Sequence, residues 1–180
     1  MTIAVLVTSL PERRCLLAEA LESVADQTLA PDDIVVGVDP YRLGEVRNMN
    51  RLIGATDCDW LAFLHDDDLW LPTHLSIAAE HFDSADVIVS RVTTVGRPQH
   101  TLEPQHDNFA DLERTNWFPP SAVVVRRETF GEWCEPFDHF RWIDWANWNR
   151  LHRAGARMVH TNEPTLLYRF GAWGNGSWGG

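Results

Sequence analysis

Three consecutive carboxylates, Asp66, Asp67 and Asp68, stand in the segment FLHDDDLWLP, directly after the apolar run DWLAFL. Adjacent negative charges repel one another, and near a protein interior each also carries a desolvation cost. A hard divalent cation relieves both penalties. Magnesium and manganese take oxygen ligands and are commonly held by one or two carboxylates together with the phosphates of a substrate. An acidic cluster ending a buried strand therefore points to a metal–diphosphate site at the carboxyl edge of a sheet. The same residues would also suit a solvated acidic turn capping a helix that begins near Leu71.

The second chemical signal is tryptophan, of which the chain has nine. Trp117, Trp133, Trp142, Trp145, Trp148, Trp173 and Trp178 crowd the second half. An indole stacks on the C–H face of a sugar ring and offers one N–H donor. Trp142, Trp145 and Trp148 recur at i, i+3 and i+6, broadly on one side of a helix. A core stripe is the competing explanation, and for Trp148 the preferred one. Trp173 and Trp178 lie on the glycine-rich tail GAWGNGSWGG, which suits either a lid over a ligand or a mobile end.

The elements that must position these groups alternate. TIAVLVT (2–8) and DIVVGVD (33–39) are continuous apolar runs, as expected of strands covered on both faces. Leu17, Leu21 and Val24 form a helical stripe between them, ending near Asp26. Val46, Met49 and Ile53 form a second stripe after Pro40 and Gly44. DWLAFL is a third strand. A helix from Pro72 to about Phe82 follows, then a fourth strand, DVIVS (86–90). This order predicts an α/β fold with a mostly parallel sheet and helices on both faces. In such sheets ligands bind beyond the carboxyl ends of the strands, where Thr8, Asp39 and Asp66 to Asp68 fall. Residues from about Thr94 to Pro119 suggest a long surface excursion, of a kind that is often functional. SAVVVRR returns to strand character, Ile143 to Ala154 form a helix stopped by Gly155, and ARMVHT and TLLYRF close the fold as strands.

Composition bounds the rest. A chain of 180 residues with 44% hydrophobic content supports one domain with a real core. A formal net charge of -11 disfavours gripping a nucleic-acid backbone. Three cysteines without CxxC spacing suggest reduced thiols and a cytoplasmic protein. No run approaches the length of a membrane span, and MTIAVLVTSLPERR lacks the basic leader of a signal peptide. Any link to a membrane is then peripheral or through a partner.

Four blocks in order carry a family resemblance. VLVTSLPERRCLLAEALESVADQTLAPDDIVVGVD, GEVRNMNRLIGATDCDWLAFLHDDDLWLP, PPSAVVVRRETFGEWCEPFD and WIDWANWNRLHRAGARMVHTNEPTLLYRF span most of the chain. Together they resemble a small GT-A-type glycosyltransferase of the family 2 group. The resemblance implies a Rossmann-like GT-A domain over residues 1–170. Its nucleotide-sugar-binding half would be 1–92, its acceptor and catalytic half 93–170, and 171–180 a flexible tail. It implies a UDP-, GDP- or dTDP-linked sugar donor and Mn2+ or Mg2+ as cofactor. The acceptor is a glycan, a lipid-linked precursor, a protein or a modified base.

Site residues follow from matching positions. Thr8, Asp39, Arg47 and Asp66 resemble donor-binding residues, with Asp39 at the base or ribose, Arg47 near the diphosphate and Asp66 at the ribose or sugar. Asp67 resembles the direct metal ligand, and Asp68 supports it or caps the next helix. Asp144 resembles the base that takes the acceptor's proton; burial between Trp142 and Trp145 would raise its pKa. The N-cap of its helix is the other role open to it. The chain departs from the family where His65 and Ile143 replace acidic residues, and where DPYRLG replaces the usual DDGS after strand two and leaves one acidic residue, Asp39. No late histidine follows Arg169, and His160 is expected to be structural. A sugar nucleotidyltransferase is the second reading, disfavoured because TSLPERR has no glycine-rich phosphate loop. A catalytically silent carbohydrate- or nucleotide-sugar-binding protein is the third.

Overall fold

IAVLVTS carries no charge and needs cover on both sides. In the computed structural model, which describes residues 1–96 and 108–170, this segment is strand β1 (Ile3–Ser9), buried along its whole length. It lies between β2 (Asp33–Val38) and β3 (Trp60–His65), parallel to both. The remaining strands are β4 (Leu69–Trp70), β5 (Val87–Gly96), β6 (Val123–Arg126) and β7 (Met158–Phe170). All seven join one sheet in the order β2-β1-β3-β6-β5-β7-β4. β6 runs antiparallel to β3 and β5, and the short β4 antiparallel to β7. The longest ladder, β5 with β7, is parallel and shifts register around Arg91. The result is a mostly parallel, Rossmann-like α/β fold.

The helices are α1 (Arg14–Ala25), α2 (Glu45–Ile53), α3 (His74–Ala79), α4 (Arg127–Phe130) and α5 (Ile143–Arg153). Gly37 lets α2 approach β2 closely. A Cβ there would sit 2.7 Å from Leu52 Cδ2 and 2.9 Å from Asn48 Oδ1, and Asn48 donates to the Gly37 carbonyl at 3.0 Å. That contact sets where the first turn of α2, with Glu45, meets the sheet edge. Under α5 the core is aromatic. Trp133 meets Phe63, Phe130 and Trp148 with ring centroids 5.0, 5.2 and 5.4 Å apart.

Several expectations need correction. β2 is an edge strand covered on one face only: α2 packs over Gly37, while Ile34, Val36 and Val38 share the opposite face and are exposed. The third helix begins at His74 rather than Pro72. The carbonyls of Leu71 and Pro72 instead accept from Gln27 Nε2 and the Thr28 amide, tying this turn to the end of α1. The fourth predicted strand extends to Gly96, and the two predicted closing strands are one continuous β7. β5 thus crosses the boundary placed between residues 92 and 93. The surface excursion is only partly that: Leu112, Trp117 and Phe118 are buried, with Phe109 and His160 stacked beside them at 4.7 Å. His160 Nδ1 also meets the Val89 carbonyl, a structural role as expected. Residues 97–107 and the tail 171–180, with Trp173 and Trp178, lie outside the described residues.

Candidate active site

The carboxyl ends of β1 and β3 lie side by side, Thr8 paired with His65. Beyond them a cavity of about 450 Å³ opens, lined by Thr8, Arg13, Glu45, His65, Asp66 and Asp67. Pro119, Pro120, Glu135, Arg141, Trp142, Asp144 and Tyr168 also line it.

The triplet occupies the turn between β3 and β4, where β4 pairs with the far end of β7. It is not a solvated acidic turn. Asp66 and Asp68 are each 1% exposed. Asp66 accepts from Ser9 Oγ at 2.6 Å and Arg13 Nη1 at 3.0 Å, so its two oxygens are engaged by the last residue of β1 and by the turn that follows it. Asp68 accepts from Ser121 Oγ at 2.5 Å and the Arg169 amide at 3.2 Å. Neither bond caps a helix. Asp67 is the most open of the three. Arg169 braces the turn from β7: Nε donates to the Asp67 carbonyl at 2.6 Å, and Nη1 pairs with Glu19.

Charge crowds here. Burial, then the neighbouring Asp67 carboxylate, push Asp68 up to about 7, against the pull of Ser121 and His65. Burial disfavours the His65 imidazolium, but Glu45, with Asp67 and Asp68, outweighs it and raises the pKa to about 10. The Nε2 atom lies 3.1 Å from Glu45 Oε1, a contact that favours the charged imidazolium. Ligand atoms of His65, Asp67 and Asp68 all fall within 4.8 Å of one another. Two carboxylates and an imidazole in that space fit a divalent cation, manganese better than magnesium because one donor is nitrogen.

Asp144 sits in the first turn of α5, two residues after the N-cap position, which Trp142 occupies. It accepts from Asn116 Nδ2 at 2.9 Å and from the Trp145 amide at 2.8 Å. Burial is the main cause that raises its pKa to about 6, against the pull of both bonds. Trp142 is 59% exposed and faces the cavity. The three helical tryptophans do not share a role, because a spacing of i, i+3, i+6 fans across the helix. Trp145 donates its indole N–H to the Leu112 carbonyl at 2.6 Å and packs on Phe140, away from the cavity lining. Trp148 is core.

Asp39 and Arg47 line a neighbouring cleft of about 550 Å³ beyond β2, with Tyr41, Leu43 and Arg51. Asp39 is buried and accepts from the Gly44 amide at 3.2 Å; Arg47 is exposed. The ends of β1 and β2 are tied together where the Asp39 amide donates to the Ser9 carbonyl at 3.0 Å. Arg13 pairs with the carboxylates of Asp66 and Asp67, while Arg47 lines the cleft beyond β2. Sequence reasoning also passed over Ser9, Glu45, Ser121, Asn116 and the clamping role of Arg169. Only PERR, a pair of arginines next to a strand end, held a local hint.

The description glycosyl transferase family 2 matches residues 38–144. No curated protein matches the chain significantly. Similar solved structures include Staphylococcus aureus TarS 1-349, at 14% identity and a TM-score of 0.70, covering 94% of this chain and 60% of that one. TarS has also been solved with UDP and with UDP-GlcNAc. Glucosyl-3-phosphoglycerate synthase from Mycobacterium tuberculosis, in complex with Mn2+, UDP and phosphoglyceric acid, is similar at 15% identity and a TM-score of 0.66, over 93% of this chain and 70% of that one. A mannosyltransferase from Pyrobaculum calidifontis, in complex with GDP-Man and Mn2+, is similar at 14% identity and a TM-score of 0.63, over 92% and 56%. The chain thus spans about 60% of the length of the TarS fragment. No helix among the described residues is long and apolar enough to cross a membrane.

Proposed function

This chain belongs to glycosyl transferase family 2, and on that premise we propose that it moves a sugar from a nucleotide-diphosphate donor to an acceptor hydroxyl, with metal dependence and inversion at the anomeric carbon. The observation that carries the reading is the shared cavity: Asp67 and Asp144 both line it. An inverting transfer needs a charge-neutralising group behind the leaving diphosphate and a base opposite it.

Asp67 and Asp68 would hold the cation, with His65 as third donor once it loses its proton. Bound Mn2+ or Mg2+ neutralises charge on the departing diphosphate. The cleft with Asp39 and Arg47 suits the nucleoside. Thr8, whose Oγ1 has no hydrogen-bond partner among the described residues, lines the cavity with the triplet. Asp66, engaged by Ser9 and Arg13, shapes the turn and leaves less of its carboxylate for the ribose or sugar than the resemblance implies. UDP, UDP-GlcNAc and GDP-Man in the similar structures support a uridine or guanosine donor.

Asp144 takes the proton of the acceptor hydroxyl as that oxygen attacks the anomeric carbon. With a pKa near 6 it is ionised at neutral pH and more basic than a free aspartate. Trp142 offers the acceptor an apolar platform, and Arg141 and Glu135 line the same cavity. Activity in the cytoplasm, by a single domain spanning residues 1–170, completes the proposal.

Titration calorimetry of UDP and GDP, with Mn2+ and with EDTA, tests the metal. Binding should tighten with the ion, and Asp67→Asn should remove the gain. Equal affinity of the native protein in both conditions overturns the metal role.

A further inference from the structure

The carboxylate triplet has a cation of its own. Arg13 ends the 3-10 turn Pro11–Arg13 after β1 and is 9% exposed. Its Nη1 lies 3.0 Å from Asp66 Oδ1 and 3.5 Å from Asp67 Oδ2. Ser9 holds the second Asp66 oxygen, so Asp66 is anchored twice. Asp67 has the weaker contact, its side chain is 29% exposed, and it belongs to the ligand group with His65 and Asp68. Arg13 lines the cavity, and its Nε and Nη2 make no hydrogen bond among the described residues. One nitrogen of the guanidinium is committed to protein carboxylates and the other two are not.

We infer that Arg13 is the resident counter-cation of this site: it yields Asp67 to the divalent cation and turns its uncommitted donors to the donor's diphosphate. The inference rests on the proposed function. Two physical effects of opposite sign follow. A positive charge beside Asp67 opposes a bare cation at the same carboxylate. The same charge attracts a diphosphate, and the planar fork of arginine can donate two parallel bonds to it where lysine offers a point charge. Ser9 and Asp66 then act as the mount that keeps the guanidinium at the cavity wall.

The test measures Mn2+ alone by electron paramagnetic resonance, and UDP and GDP in the presence of Mn2+ by calorimetry. Native protein, Arg13→Gln and Arg13→Lys are compared, each with a thermal melt. Arg13→Gln should bind Mn2+ alone several-fold more tightly and the nucleotide about tenfold or more weakly, as for loss of a charge-assisted contact. Arg13→Lys should keep native Mn2+ affinity and lose part of the nucleotide affinity. If both ligands weaken together, Arg13 is only a structural support and the inference fails; unchanged affinities also overturn it. Should Arg13→Gln not fold because Asp66 is left unpaired, Arg13→Lys still decides, since nucleotide binding equal to native contradicts the fork. A native protein that binds no nucleotide diphosphate refutes the proposed function instead, while the Mn2+ arm still tells whether Arg13 competes with a cation.

Discussion

Asn116 donates to Asp144 Oδ2 at 2.9 Å, from the segment that precedes the buried Trp117–Phe118 pair. The other Asp144 oxygen accepts the Trp145 amide. Each carboxylate oxygen has two lone-pair sites, so both keep capacity to receive a proton. The carboxylate is thereby oriented without being neutralised, and burial keeps it basic.

Stability should fall as pH rises from about 6.5 to 8.5. Asp68 and Asp144 have folded pKa values raised to about 7 and about 6, and His65 is raised to about 10. For Asp68 and His65 the native state holds more protons than the unfolded chain in this window, so stability present at lower pH is lost on going up; the Asp144 contribution is lost mainly below it, between 3.8 and about 6. His74, lowered to about 3 by burial, acts with the opposite sign but only below its unfolded pKa of 6.5. Melting temperatures across the window should decline, less steeply in Asp68→Asn and with saturating Mn2+. A flat or rising native profile would contradict the crowding of these carboxylates.

Asp39→Asn and Arg47→Ala should each weaken UDP or GDP binding about tenfold to a hundredfold, the usual range for a charge-assisted bond. Both variants should melt within a few degrees of native. If they bind both nucleotides as the native protein does, the cleft beyond β2 is not the nucleoside site.

Arg169→Gln should cost about 2–3 kcal/mol in stability, because its hydrogen bonds brace the triplet turn against β7. Mn2+ affinity should fall with it, since Asp67 and Asp68 lose their relative placement. Denaturant unfolding and metal titration on one sample check this; native metal binding in a destabilised variant would uncouple the clamp from the site.

Local pattern carried the placement of β1, β3 and α5, since apolar runs and a 3.6-residue stripe are local properties. The same holds for Asp66 to Asp68 at a strand end and for Trp148 in the core. What escaped is non-local. Arg13 meets Asp66 across 53 residues, Ser121 meets Asp68 across 53, and Arg169 reaches the Asp67 carbonyl across 102. No spacing rule encodes such pairs. The two-residue β4 is too short for any periodicity, and the exposed edge of β2 depends on which strands fail to pair beside it. Trp117 and Phe118 sat in a polar stretch, and burial there comes from the packing of Phe109 and His160.

The most direct test is Asp144→Asn, followed in one preparation by circular dichroism, nucleotide titration and transfer from UDP- and GDP-sugars to a panel of glycan, lipid-linked, protein and modified-base acceptors. Asn is nearly isosteric and can still accept the Trp145 amide, but it cannot take a proton. The variant should fold, bind the nucleotide like the native protein, and lose transfer by about a hundredfold or more. Native turnover should rise with pH through about 6 as Asp144 ionises. Near-native turnover in Asp144→Asn would remove this residue from the chemistry and contradict the inverting mechanism built on it. That result would favour either a retaining enzyme or another base, at Asp111 or at Glu103 and Asp107, the last two outside the described residues.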